Sequence, residues 1–221
     1  MFVKIKIGFL LALFYSGLIN AQLVESLEKE AVDIMLSLST GDALLPEDLR
    51  TIKELLNSDF NEYKSSGKPA DTVNKENLIN HLAEFESELN DISTDSALVL
   101  FNQWYLCLSN TFYEYNKEKF FSSTNKKIIL FSTSMSCYCT LEMCKEQTIQ
   151  ILKFIRSNNN SYDYWIIDSF EHNELQIEYF TLFAPSVIVF DENNEVLYKI
   201  EYEEKMLAQL TDYFNNNIYK K

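Results

Sequence analysis

The chain has 221 residues, with 33 acidic against 19 basic side chains and a formal net charge of −14. A chain this acidic, with no basic stripe or arm, is repelled by phosphate backbones, which argues against nucleic acid as a partner. Its four glycines are Gly8, Gly17, Gly41 and Gly67, so no glycine-rich phosphate loop or dinucleotide fingerprint is present.

Residues 1–21, MFVKIKIGFLLALFYSGLINA, have the form of an export signal. Lys4 and Lys6 give a basic start, Ile7 to Ile19 an apolar core, and Ala21 a small residue before a cleavage point at Gln22. The apolar stretch is short for a bilayer span, and nothing after it resembles one. The expected mature chain is therefore exported, periplasmic or extracellular, with no membrane span. Losing Lys4 and Lys6 takes its charge from −14 to −16.

Residues 22–120 follow helical spacing. Leu23, Leu27, Ala31, Ile34, Met35 and Leu38 recur at intervals of three and four. Pro46 suits the first turn of a second helix, with Leu49, Ile52, Leu55, Leu56 and Phe60 on its apolar face. The stretch 65–72, SSGKPADT, breaks the pattern with Gly67 and Pro69. A third helix uses Leu78, Ile79, Leu82, Phe85 and Leu89, and a fourth runs from about Ser96 to Tyr115. Its aromatic run, 101–115, reads as a seam against the C-terminal half of the chain. The acidic residues Glu28, Glu30, Glu84, Glu86, Glu88 and Asp91 read as solvated helix faces. Residues 121–127 read as a linker.

From 127 the pattern changes. KIILFS (127–132) suits a buried strand. After a cysteine-bearing loop, Leu141, Cys144, Thr148, Ile151, Leu152 and Ile155 mark one face of a helix. YDYWIID (162–168) is a strand, 170–180 a short helix, and SVIVFD (186–191) and EVLYKI (195–200) a hairpin. Asn193 and Asn194 supply the positive backbone angles of its turn. A last helix spans 203–217. The order is strand, helix, strand, helix, strand, strand, helix, which gives an α/β mixed sheet flanked by helices, preceded by an all-α region. The expected division is 1–21 signal, 22–120 helical region and 121–221 sheet domain.

The loop, SMSCYCTLEMCK (134–145), holds three of the four cysteines: Cys137, Cys139 and Cys144. With Thr140 as helix N-cap, Cys137 and Cys139 lie just before the first turn, where exposed N–H groups stabilise thiolates. A Cys137–Cys139 bond closes a small strained ring that is easily reduced. Cys144 belongs to the apolar stripe, and Cys107 to the fourth helix. Soft ligands offer a rival chemistry: Met135, Cys137, Cys139, Met143 and Cys144 suit Cu(I), with His172 as a distal ligand only if it approaches. The third alternative is two static disulfides and no chemistry.

The segment 127–217 resembles the thioredoxin-like superfamily, and in particular its exported TlpA-like thiol–disulfide oxidoreductases. In that group a strand ends near F-W-A-x-W-C-x-x-C-R-x-E, and a cis-proline precedes the third strand. Counting from Phe131 and matching Glu142 to the family's glutamate puts Cys139 on the second cysteine and Ser136 on the first. Cys137 is one place late, and the expected tryptophan is missing. Pro185, in FAPSVIVFDENNEVLYK, takes the cis-proline position, with Asn194 in place of the family's hairpin glycine. The resemblance implies a thioredoxin-like fold, no resident cofactor, and exchange with protein thiols or disulfides. Its implied site is Cys137, Cys139, Cys144, Pro185 and Glu142, the last as a proton carrier near Cys139.

Overall fold

The computed structural model describes residues 22–57, 75–158, 161–201 and 205–218. The expected export signal (1–21), Phe60 and the expected break at 65–72 lie outside these residues. Among those described, no helix is long and apolar enough to cross a membrane.

Helix α1 spans 22–38 and presents Leu27, Ala31, Met35 and Leu38 to the core. The turn after it closes at Gly41, whose φ of +88° is the left-handed region glycine adopts without strain. A 3-10 turn, Pro46–Leu49, runs into α2, Arg50–Asn57. Proline's fixed φ suits that start. Then come α3, Lys75–Glu88, α4, Thr94–Thr111, and α5, Tyr113–Ser122.

The expected fourth helix is thus two, and helix continues to Ser122 where a linker was expected. The break is at Phe112 (φ −109°, ψ 26°). Just before it, the Thr111 hydroxyl donates to the Cys107 carbonyl at 2.8 Å, a back-bond that bends helices. Phe112 is itself buried, so the bend turns an apolar side chain inward. One acidic residue also departs from expectation. Glu28 accepts a bond from the Tyr105 hydroxyl at 3.2 Å, and burial pushes its carboxyl above the ordinary range. It is half-buried rather than fully solvated.

Four strands follow: β1, Lys127–Ser132; β2, Asp163–Asp168; β3, Ser186–Phe190; and β4, Val196–Glu201. Helix α6, Tyr138–Ser157, links β1 to β2, and α7, Glu174–Glu178, lies between β2 and β3. Helix α8, Met206–Ile218, follows the hairpin. The sheet order is β2-β1-β3-β4. The first two strands are parallel; β3 runs antiparallel to β1 and β4 antiparallel to β3. A register shift at Val189/Phe190 bends the β3–β4 pair. In the hairpin turn only Asn194 has positive φ (68°), so Asn193 does not share that role.

Alternation along the strands divides the core. Ile128, Leu130, Ile166, Val187 and Val189 face one side and share one core with α6, α8 and the helices α1 to α4. Ile129, Phe131, Trp165, Ile167, Ile188 and Phe190 face the other, beneath Tyr113 and Phe120 of α5 and Leu175 of α7. This is the thioredoxin-like mixed sheet flanked by helices, preceded by an all-α region. The aromatic run reaches the sheet as the sequence suggests: the Ser109 hydroxyl donates to the Ile166 carbonyl at 2.6 Å, and Tyr113 packs on Trp165.

Candidate functional site

Strand β1 is buried along its whole length, and its C-terminal end delivers the chain to the cysteine loop. The loop is held from below. The Ser134 N–H donates to Asp168 Oδ1 at 3.0 Å, and the Phe170 N–H to the same oxygen at 3.1 Å. Asp168 Oδ2 accepts from Asn110 Nδ2 of α4 at 3.1 Å. Gln103, also on α4, donates to the Ser134 carbonyl at 3.3 Å. A buried carboxylate at the end of β2 therefore ties the loop to both the sheet and the helical layer.

The N-cap of α6 is Cys137 (φ −65°, ψ 155°), not Thr140, and the helix begins at Tyr138. Thr140 lies inside the first turn, where its N–H donates to the Cys137 carbonyl at 3.0 Å. The loop, fixed at Ser134 by Asp168, enters the helix with its cap at Cys137, three residues before Thr140. Cys139 is consequently a first-turn residue.

Cys137 and Cys139 are free and exposed, with their sulfurs 2.7 Å apart across Tyr138. The Thr140 hydroxyl lies 3.3 Å from the Cys137 sulfur. The Cys137 thiol is lowered to about 7, first by the neighbouring Cys139 thiol, then by the Thr140 hydroxyl and N–H. These are donors to the ionised form, and each favours thiolate. Cys144 and Cys107 behave oppositely: burial pushes both up to about 11. Cys144 is fully buried in α6, facing Ser132 and Thr133, and Cys107 is partly buried on α4.

This asymmetry predicts a pH profile. Ionisation of Cys137 proceeds as pH rises through about 7. Its alkylation by iodoacetamide should rise with a midpoint near that value and level off above it. A midpoint at the ordinary cysteine value of about 8.5 would count against the donor arrangement. Peptide mapping assigns the label, and Cys107 and Cys144 should lag far behind.

Pro185 follows a cis peptide bond, Ala184–Pro185, as the resemblance implies. Ala184 shares a groove with Thr133, Ser136 and Thr140 of the cysteine segment, and with Phe170, Leu182 and Phe183. The loop before β3 and the start of α6 thus form opposite walls of one surface.

Glu142 is committed elsewhere. Its Oε2 accepts from Lys145 Nζ at 2.6 Å, and neither cysteine sulfur is its hydrogen-bond partner. Lys145 is buried, pairs with Asp95 at 2.6 Å and Glu146 at 3.3 Å as well, and stays charged because these carboxylates hold its proton. The oxygens of Asp95, Glu142 and Glu146 lie within 4.8 Å of one another. They are the one cluster of at least three histidine, cysteine or carboxylate ligand atoms among the described residues, and the Lys145 ammonium already serves them as a cation. His172 is buried, with its ring stacked on Tyr113 at 3.7 Å, and does not form such a cluster with the cysteines. Met135 is exposed and Met143 half-buried.

Asp168, Asn110, Gln103 and Lys145 were not singled out by the sequence. A faint signal existed: Asp168 ends an apolar strand, and Asn110 interrupts an apolar helix. Polar groups in such places are kept by partners.

No family model matches the chain. No curated protein matches it either. Solved structures superpose on part of it. The germline-specific thioredoxin Deadhead of Drosophila melanogaster is 17% identical, over 46% of this chain and 91% of that one, with a TM-score of 0.37. Mitochondrial thioredoxin 3 of Saccharomyces cerevisiae is 16% identical, over 44% and 84%, with a TM-score of 0.34. A designed protein is 14% identical, over 49% and 88%, with a TM-score of 0.37. Similarities at this level say nothing about activity, and the fold stands on the strand order and directions of the sheet itself.

Proposed function

We propose that the protein is an exported, TlpA-like thiol–disulfide oxidoreductase whose redox pair is Cys137 and Cys139. The observation that carries this is the pair of exposed thiols 2.7 Å apart at the start of α6, one of them ionising near about 7. In the reducing direction, the Cys137 thiolate attacks one sulfur of a substrate disulfide and expels the other as thiolate. Cys139, once deprotonated, attacks the Cys137 sulfur and releases the second substrate thiolate. The substrate gains two electrons, and the pair is left as a disulfide. The reverse sequence oxidises a dithiol. A bond across a single intervening residue is strained, which favours reactivity over permanence.

Pro185 and the wall before it shape the side on which substrate approaches. Glu142 is held by Lys145 and supports the start of α6. The signal-like sequence of residues 1–21 supports a site in the periplasm or outside the cell, acting on exported proteins.

The test is to equilibrate the full chain in glutathione buffers of graded potential, quench with acid and map thiols by mass. The expected result is one Cys137–Cys139 bond, reduced at a potential less negative than the roughly −300 mV bound of static structural disulfides. Two bonds that resist reduction would favour a non-catalytic interaction domain. Absence of any bond, with tight stoichiometric Cu(I) uptake against a competing chelator, would favour copper delivery through Met135, Cys137, Cys139, Met143 and Cys144.

A further inference from the structure

The surface around the redox pair is apolar. Met135 is 65% exposed and Tyr138 66% on the cysteine side. Phe170, Leu182 and Phe183 are also exposed and line the opposite wall of the groove. Large apolar groups gathered in this way mark an interaction surface rather than random exposure.

Next to that wall stands a strained residue. Phe180 closes α7 with φ +52° and is 81% exposed. Its N–H donates to the Ile177 carbonyl at 3.2 Å, and the Thr181 N–H to the Gln176 carbonyl at 2.9 Å. This helix ending ordinarily takes glycine or asparagine. A bulky aromatic residue there is an outlier, and its ring gains too little burial to repay the strain. Ile177, one turn earlier, is exposed as well.

Charge sets the character of the partner. Between 170 and 183 the chain carries Glu171, Glu174 and Glu178 and no lysine or arginine. All three carboxylates are on exposed residues. Glu201 adds a fourth, accepting from the Leu182 N–H at 3.3 Å. On the cysteine side, Asp95, Glu142 and Glu146 share the single Lys145 ammonium. The basic exception near the far wall is Lys199, which bonds the Tyr179 carbonyl. An apolar face with negative flanks repels a second copy of itself and attracts a cationic one.

We infer that this face docks a cationic apolar polypeptide segment, so that the redox pair acts on thiols or disulfides flanked by lysine or arginine among apolar residues. The chemistry rests on the proposed thiol–disulfide exchange; the docking does not.

The probes are two short peptides of equal length and apolar content, one lysine-rich and one glutamate-rich. Each carries a single cysteine as its mixed disulfide with thionitrobenzoate. Attack by the Cys137 thiolate on the peptide sulfur forms a Cys137–peptide bond and expels coloured thionitrobenzoate. The expected result is that the lysine peptide reacts at least about tenfold faster at low salt, an advantage that shrinks as salt screens it. In Phe180→Asn, which suits the backbone angle, the ratio of lysine-peptide rate to small-disulfide rate should fall. Equal rates for both peptides, or an unchanged ratio in Phe180→Asn, would overturn the docking.

If neither a small disulfide nor the peptides react, the exchange reading fails by itself. The same two peptides with serine for cysteine and a fluorescent label then decide docking by anisotropy. Tighter binding of the lysine peptide upholds the surface, and equal affinities overturn it.

Discussion

With both Cys137 and Cys139 replaced by alanine, exchange with a small test disulfide at pH 7 falls at least about a hundredfold. Only Cys107 and Cys144 remain, each raised to about 11 by burial. At pH 7 such a thiol is ionised about once in ten thousand, against about half for a thiol near 7. The more basic thiolate is intrinsically faster, with a Brønsted slope of about 0.4–0.5, which recovers a factor of about 60 over four units. The net loss is about a hundredfold before access is considered, and Cys144 is fully buried. The single variants divide the labour. Cys139→Ala keeps the attacking thiol without a resolving one, so a mixed disulfide through Cys137 should accumulate and be seen by mass. Attack at pH 7 should also slow, because Cys139 is the leading cause of the lowered Cys137 thiol. Wild-type exchange in the double variant would place the chemistry elsewhere.

Asp168→Ala should destabilise the fold by about 3–5 kcal/mol, read by urea unfolding. The carboxylate is fully buried and accepts from Ser134, Phe170 and Asn110. Truncation strands these donors and opens a void beneath the cysteine loop. Asp168→Asn should cost only about 1 kcal/mol. Its carbonyl can keep the two N–H donors, and Asn110 has a buried Oδ1 with no partner that a flipped amide can turn to the new Nδ2. The contrast between the two variants checks the strap: an alanine effect under about 0.5 kcal/mol would mean that Asp168 does not hold the loop.

The order of elements after residue 127 was legible because its signals are local. Apolar runs of strand length and a helical stripe through Cys144, Thr148 and Ile151 each have one economical burial. Pro185 and Asn194 were legible because few residue types suit their backbone states. The helix break at Phe112 was not, since Thr111 is an ordinary helical residue until its hydroxyl turns back on Cys107. Thr140 was favoured as the cap by residue type, but Ser134 is anchored by a carboxylate 34 positions away, and that anchor sets where helix begins. The clustering of Cys137 with Cys139 was visible in the spacing. Cys144 was set apart by its place in the apolar stripe, and Glu142 with Lys145 is a local i,i+3 pair, but the reach of Lys145 to Asp95, 50 positions away, is a contact no local pattern carries.

The hairpin has a consequence for self-association. Strand β4 lies at the end of the sheet order, and Val196 and Leu197 are exposed on it. Such an edge can template pairing with a neighbouring chain and seed fibrils. The register shift at Val189/Phe190 kinks its pairing with β3, and Glu195, Lys199 and Glu201 place charge along or beside it. A chain arriving to extend the sheet would have to follow a bent, charged rail, so this edge resists fibrillar growth despite its two apolar residues.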